Sequence, residues 1–200
     1  MGPMVVAGLM LENESELEGL NVKDSKKCTP KRREKLAQEL YKIAKTEVII
    51  VPARDIDTMR EGLTMNQIET KLFASIIEKL KPSVAYVDSA DVNEERFGQD
   101  IKNELDLDVK IVSKHGADEL YPIVSAASII AKTTRDFEVG KIAEKIGCNI
   151  GSGYPSDVQT ISFLEKWIAE HGEPPPHTRV SWKTTQNILN RILTKKIETF

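Results

Sequence analysis

The sequence predicts an α/β fold, a mixed sheet with helices packed on it. Three observations lead there. Short apolar runs of strand length, MVVAGLML, EVIIVP, SVAYVD and DVKIVS, recur along the chain. Between them lie segments whose apolar residues fall at helical spacing. Thr and Asp caps and prolines mark the ends of those segments. Strands that alternate with helices make layers of helix on sheet.

Each element has its own warrant. Residues 4–11 form a continuous apolar run, expected as a strand buried on both faces. An acidic loop follows, with Glu12, Glu14, Glu16 and Glu18. Thr29 suits an N-cap and Pro30 a first helical position. With Leu36, Leu40 and Ile43 at helical spacing, they predict a helix over about 30–45. EVIIVP (47–52) reads as a strand that stops at Pro52. Thr64 and Gln67 form a capping box for a helix that continues through Ile68, Leu72 and Ile76. SVAYVD (83–88) is a strand, Asp91 with Glu94 a second capping box before a short helix, and DVKIVS (108–113) another strand. A long helix runs from Pro122 to about Ile146, with Ile123, Ala127, Ile130, Thr134 and Phe137 on one face. The loop GSGYPSD separates it from a helix at about 157–170, and a last helix covers about 183–196. Residues 1–150 are read as the core and 151–200 as a C-terminal helical region of the same domain.

Composition narrows the function. Two hundred residues, 40% hydrophobic and 30% charged, suit one globular domain. A net charge of −3 means that nucleic-acid binding must come from a local patch. Cys28 and Cys148 have no short metal spacing, and a disulfide framework is not expected; a reducing, cytoplasmic setting is. No apolar run approaches the roughly 18 residues of a membrane span, and the start lacks the regions of a signal peptide.

The candidates for chemistry are few. Asp88 ends SVAYVD, and Asp118 lies in SKHGADELYP, near the end of the following strand. The carboxyl ends of strands are where open α/β sheets bind ligands. Two carboxylates brought together repel unless a cation lies between them, which points to Mg²⁺ or Mn²⁺. The plainer readings are a turn residue for Asp88 and a helix-dipole partner for Asp118. Lys23, Lys26, Lys27, Lys31, Arg32, Arg33 and Lys35 cluster against only Asp24 and Glu34, suiting either a phosphate backbone or a solvated helix face. SAAS (125–128) puts small residues on the long helix, followed by Lys132 and Arg135. In GSGYPSD, Gly151 and Gly153 permit sharp turns, and Pro155 pushes Tyr154 toward an extended conformation. A ring so fixed can stack on a base or sugar, or pack on the next helix. His115 and His177 have no partner at metal-ligand spacing, and no glycine-rich phosphate loop follows a strand.

GPMVVAG, VKDSKKCTPKRRE, YVDSADVNEERF, KHGADELYPIVSAASIIAKTTRD and GSGYPSD, in that order, resemble the type 2 ribonuclease H family, ribonuclease HII, and most closely its archaeal members. The resemblance covers almost the whole chain. It implies an RNase H-like fold, cleavage of the RNA strand of RNA–DNA hybrids, and incision at ribonucleotides embedded in DNA. It implies two-metal hydrolysis with Mg²⁺ or Mn²⁺ held by four acidic residues, of which two map onto Asp88 and Asp118. The loop tyrosine maps onto Tyr154, expected to stack on the sugar next to the junction. Lys26 is the candidate phosphate contact, and Ser125 and Lys132 are further candidate substrate-binding residues. Family members normally carry an IDEAGRG-like strand before the GPMVVAG-like stretch, and this sequence starts after it. That strand lies in the middle of the family's five-stranded sheet. The expectation is therefore a sheet without its first central strand, and a chain inactive and poorly stable alone. The alternative from another class is a non-catalytic hybrid-binding protein that keeps the basic groove and Tyr154. The tail TKKIETF, with Ile197 and Phe200, resembles the sliding-clamp-binding peptide of some archaeal relatives, with Thr194 where glutamine is usual. An apolar end packing back on the domain is the other reading.

Overall fold

The computed structural model describes residues 1–22 and 28–197, with side chains as far as Ile192. Among the described residues, four strands and eight α-helices follow in this order: β1 (Met4–Met10), α1 (Pro30–Ile43), β2 (Lys45–Val51), α2 (Ala53–Met59), α3 (Met65–Leu80), β3 (Val84–Asp88), α4 (Glu94–Asn103), β4 (Lys110–Lys114), α5 (Ala117–Leu120), α6 (Pro122–Ile146), α7 (Val158–His171) and α8 (Lys183–Ile197). The strands form two pairs, β1 with β2 and β3 with β4. No described helix is long and apolar enough to cross a membrane.

The chain divides into two compact units. The larger comprises Val5–Ile49 and Leu63–Thr134. One of its cores joins Leu9 of β1, Leu36, Ala37 and Leu40 of α1, and Ala126, Ile129 and Ile130 of α6. Gly8 lies where β1 meets α3: a Cβ there would come 2.2 Å from Cγ2 of Ile76 and 3.0 Å from Cδ1 of Leu80. A second core joins Ala74 and Ile77 of α3, Ala85 and Val87 of β3, Phe97 and Ile101 of α4, and Val109. Phe73 meets Phe97 edge to face, with centroids 5.7 Å apart.

The helix caps are local and mostly as expected. The Thr29 hydroxyl accepts from the Arg32 amide at 3.3 Å, with Pro30 at the first position of α1. Thr64 and Gln67 close a reciprocal box at the start of α3, at 3.2 and 2.8 Å. Helix α4 departs from expectation. Its N-cap is Asn93, whose side chain accepts from the Arg96 amide at 3.0 Å. Asp91 instead accepts from the Asn93 amide at 2.8 Å, from Asn66 at 2.9 Å and from the Arg96 guanidinium. These donors, the Asn93 amide first, hold its carboxyl below the usual range.

Two apolar stripes also differ. In β1 only Val6 and Leu9 are buried, since a strand paired in a two-stranded sheet is not covered as a central strand would be. On α6, Phe137 is 63% exposed, and the burial runs through Ser125, Ala126, Ile129 and Ile130 to Val139 and Ile142. A stripe extrapolated over 25 residues drifts as the helix finds different neighbours.

The smaller unit comprises Met1–Met4, Ile50–Gly62 and Arg135–Phe200. Its core gathers Met1, Val139, Ile142, Ile150, Leu164, Ile168 and Ile188. The Asp57 carboxylate of α2 accepts from the amides of Val180 and Ser181, at 2.7 and 3.0 Å. The loop before α7 is built on Asp157 and Thr160. Asp157 caps α7 by accepting from the Gln159 amide at 3.0 Å, and accepts from the amide and hydroxyl of Ser152 at 2.5 and 2.7 Å. Thr160, buried, donates to the Ile150 carbonyl and accepts from the Gly153 amide, both at 2.9 Å. Gly151 sits at φ +70, and a Cβ there would lie 2.6 Å from both Asp157 and Thr160 oxygens. Glycine is required on both counts.

Two stability experiments follow. Gly8→Ala forces a methyl into Ile76 and is expected to lose about 1–3 kcal/mol of unfolding free energy in urea titrations. The Ser152 hydroxyl and amide, above all, lower the Asp157 carboxyl from 3.8 to about 2. A lowered carboxyl pKa means that the folded form binds the proton more weakly, so the stabilisation is complete above 3.8 and disappears as pH falls to about 2. Asp157→Asn is expected to flatten the acid limb of stability against pH across that window.

Candidate active site

Side chains alternate along β3: Ala85 and Val87 enter the core, while Val84, Tyr86 and Asp88 share the opposite face. Val84 and Tyr86 are exposed there and Asp88 is half-buried at the carboxyl end. The strand pairs in parallel with β4, Asp88 beside Lys114. The Ser89 amide carries the ladder one residue further, donating to the Lys114 carbonyl at 2.9 Å.

Beyond β4 the chain turns at Gly116, φ 62, directly into α5. The turn aims the first amide of α5 back at β3, and the Ala117 N–H donates to Oδ1 of Asp88 at 3.1 Å. A second tie is aromatic: Tyr86 of β3 and Tyr121, just past α5, lie 4.6 Å apart. Asp118, 8% exposed, is thus the residue next to the amide that Asp88 holds. Two aspartates 30 positions apart are brought to the same end of the strand pair.

Lys114 would be the nearest cation by register, but its ammonium donates to Glu94 at the start of α4. The same carboxylate accepts from the His115 amide at 3.0 Å. Lys114, first, and the His115 amide lower the Glu94 carboxyl, and Glu94 raises Lys114. Glu94 was not among the expected site residues. Its spacing from Lys114 carries no signal, because the contact exists only once α4 packs beside β4.

The other candidates divide. Ser125 has no exposed surface, and its hydroxyl donates to the Val22 carbonyl at 2.6 Å. Lys132 is half-buried on α6. Lys31, Arg32 and Lys35 are exposed on α1. Lys26, with Lys23 and Lys27, lies outside the described residues, as does Phe200; Ile197 ends α8 with its side chain undescribed.

In the smaller unit, Tyr154 is 43% exposed on the GSGYPSD loop. Behind its ring stands Arg135 of α6, whose guanidinium lies 3.6 Å from the ring centroid. Sequence reasoning noted Arg135 only as a basic residue on the long helix; its partner is 19 positions away.

Asp88 and Asp118 offer the hard oxygen donors that Mg²⁺ and Mn²⁺ prefer. Among the described residues no group of three or more His, Cys, Asp or Glu side chains is assembled for a metal. Two carboxylates still suit Mg²⁺, which commonly takes one or two plus waters and substrate phosphates.

Comparison with known proteins shows the family. The family model described as Ribonuclease HII matches residues 1–185. A ribonuclease HII of Thermococcus kodakarensis is 46% identical over 98% of this chain and 87% of its own length. The structure of the PCNA:RNase HII complex from Archaeoglobus fulgidus superposes with a TM-score of 0.88 at 45% identity, covering 94% of this chain and 90% of the other. Bst-RNase HIII in complex with Mn²⁺ shares the fold, with a TM-score of 0.77 at 17% identity, over 96% of this chain and 65% of that one. A chain that the family model matches over residues 1–185, and that these relatives match along nearly its full length, belongs to the ribonuclease HII family.

Proposed function

We propose that this member of the type 2 ribonucleases H belongs to an enzyme that cleaves the RNA strand of RNA–DNA hybrids and incises DNA at embedded ribonucleotides, with Asp88 and Asp118 as two of its four acidic metal ligands. The observation that carries the reading is the Ala117–Asp88 contact, which ties the Asp88 carboxylate to the start of the helix that carries Asp118. Mg²⁺ or Mn²⁺ ions, when bound, supply positive charge to the attacking and leaving oxygens of the displaced phosphodiester. The Mn²⁺ complex of the distant ribonuclease HIII supports a cation of this class.

The chain's own groups do the rest. The Ala117 amide orients the Asp88 carboxylate, leaving its remaining lone pairs for a cation. Glu94 keeps the Lys114 ammonium occupied. Tyr154 supplies an exposed ring for the sugar next to the junction, and Lys26 and Lys132 supply charge for the backbone. Discrimination between RNA and DNA comes from reading the 2′-hydroxyl. Ser125, fully buried, acts by fixing Val22 rather than by touching substrate.

The test is cleavage of a duplex containing one ribonucleotide, with Mg²⁺, with Mn²⁺ and with chelator. Asp88→Asn and Asp118→Asn are each expected to cut the rate by at least about a hundredfold, as loss of a charge-stabilising group does. Duplex affinity should change little. Metal-dependent cleavage by the unaltered chain would overturn both the inactivity expected from the sequence and the hybrid-binding alternative.

We also propose that the tail ending at Ile197–Phe200 docks on a sliding clamp as a hydrophobic plug. The Archaeoglobus relative in complex with PCNA supports this. Deleting residues 197–200 is expected to abolish clamp binding in a pull-down while leaving cleavage of a short duplex unchanged. Retained clamp binding would place the contact elsewhere.

A further inference from the structure

We infer that Arg135 is the positioning residue of Tyr154: its guanidinium backs one face of the ring, so the tyrosine presents a single stacking face at a fixed angle. The inference rests on Tyr154 being the residue that stacks on the substrate sugar.

Arg135 is 8% exposed, while the ring it meets is 43% exposed. A buried cation under a half-exposed ring leaves only the outer face open. At 3.6 Å from the centroid, the guanidinium is in direct contact with the π-system. Arginine suits this place because its flat, weakly hydrated cation stacks on aromatic faces, whereas lysine presents a compact, strongly hydrated charge. The Asp136 carboxylate, 3.3 Å from Nη1, anchors the group from the side.

The loop is shaped to let the two meet. A Cβ on Gly153 would lie 3.0 Å from Nη2 of Arg135 and 2.8 Å from the Met1 carbonyl, so the backbone of the loop rests on the guanidinium. Pro155 confines the Tyr154 backbone to extended conformations. Asp157 and Thr160 fix the two ends of the loop. Main chain and side chain are thus set by different residues. With one face already covered, the ring cannot slip between two bases. It is left to stack on one partner, which suits a sugar flank rather than intercalation.

A double-mutant cycle on the full chain tests this. The probes are a duplex with one ribonucleotide and an all-DNA duplex, followed by fluorescence anisotropy. Arg135→Met and Arg135→Lys are each expected to weaken binding of the ribonucleotide duplex by about three- to thirtyfold. The same changes should have no further effect once Tyr154 is alanine. Amides of residues 151–157 should exchange faster in both variants, with melting temperature as the folding control. Arg135→Lys, keeping the long stem and the charge, serves if Arg135→Met does not fold. Equal losses with and without Tyr154 would overturn the inference, since Arg135 would then act on the substrate directly. Unchanged affinity and exchange would overturn it as well. Should Tyr154→Ala bind like the unaltered chain, the stacking role of Tyr154 fails. The positioning claim is then decided separately, by the ¹⁹F shift of a fluorotyrosine at 154, expected to move in Arg135→Met.

Discussion

The hydrogen bond from the Ala117 amide to Asp88 is the constraint that ties the end of β3 to the start of α5. It converts a separation in sequence into a neighbourhood in space, and three features must agree for it to form. The parallel register must set Asp88 beside Lys114. The left-handed turn at Gly116 must reverse the chain immediately after β4. Helix α5 must begin at Ala117. A slip of one residue in β3 would carry Asp88 to the face of Ala85 and Val87, burying a charge among Phe97 and Ile101. Hydrophobic packing of β3 on α4 therefore fixes the register, and the register delivers the carboxylate.

The sequence made the local half of this structure legible. Thr29–Pro30 and Thr64–Gln67 announce helices because a cap and its partner lie within one turn of each other. The long α6 was readable from its uninterrupted helix-compatible run. Short elements escaped: α2 and α5 span one or two turns, too few for periodicity to register. Asp91 misled because it stands three residues before Glu94, as a cap should, while Asn93 lies closer to the helix and takes the role. The exposure of Phe137 and the partial burial of β1 depend on neighbours that no spacing reveals.

The same division runs through the site. Asp88 and Asp118 stand out as candidates from strand ends and from motif resemblance, and Tyr154 from its place between Gly153 and Pro155. Their supporting residues were not. Glu94 reaches Lys114 across 20 positions, and Arg135 reaches Tyr154 across 19. A supporting contact has no local pattern, because the requirement it meets arises only when separate elements pack. The Asp157–Thr160 web is intermediate: it closes within a segment of about ten residues, yet its donors are backbone amides that composition does not expose.

Register alone puts a lysine beside the aspartate at the end of β3. An ammonium free to swing there would compete with any incoming divalent ion for the same oxygens, and would win at low ion concentration. Helix α4 forestalls that competition by tethering the amine to Glu94. The helix thereby keeps the anionic end of the strand from being neutralised by its own neighbour.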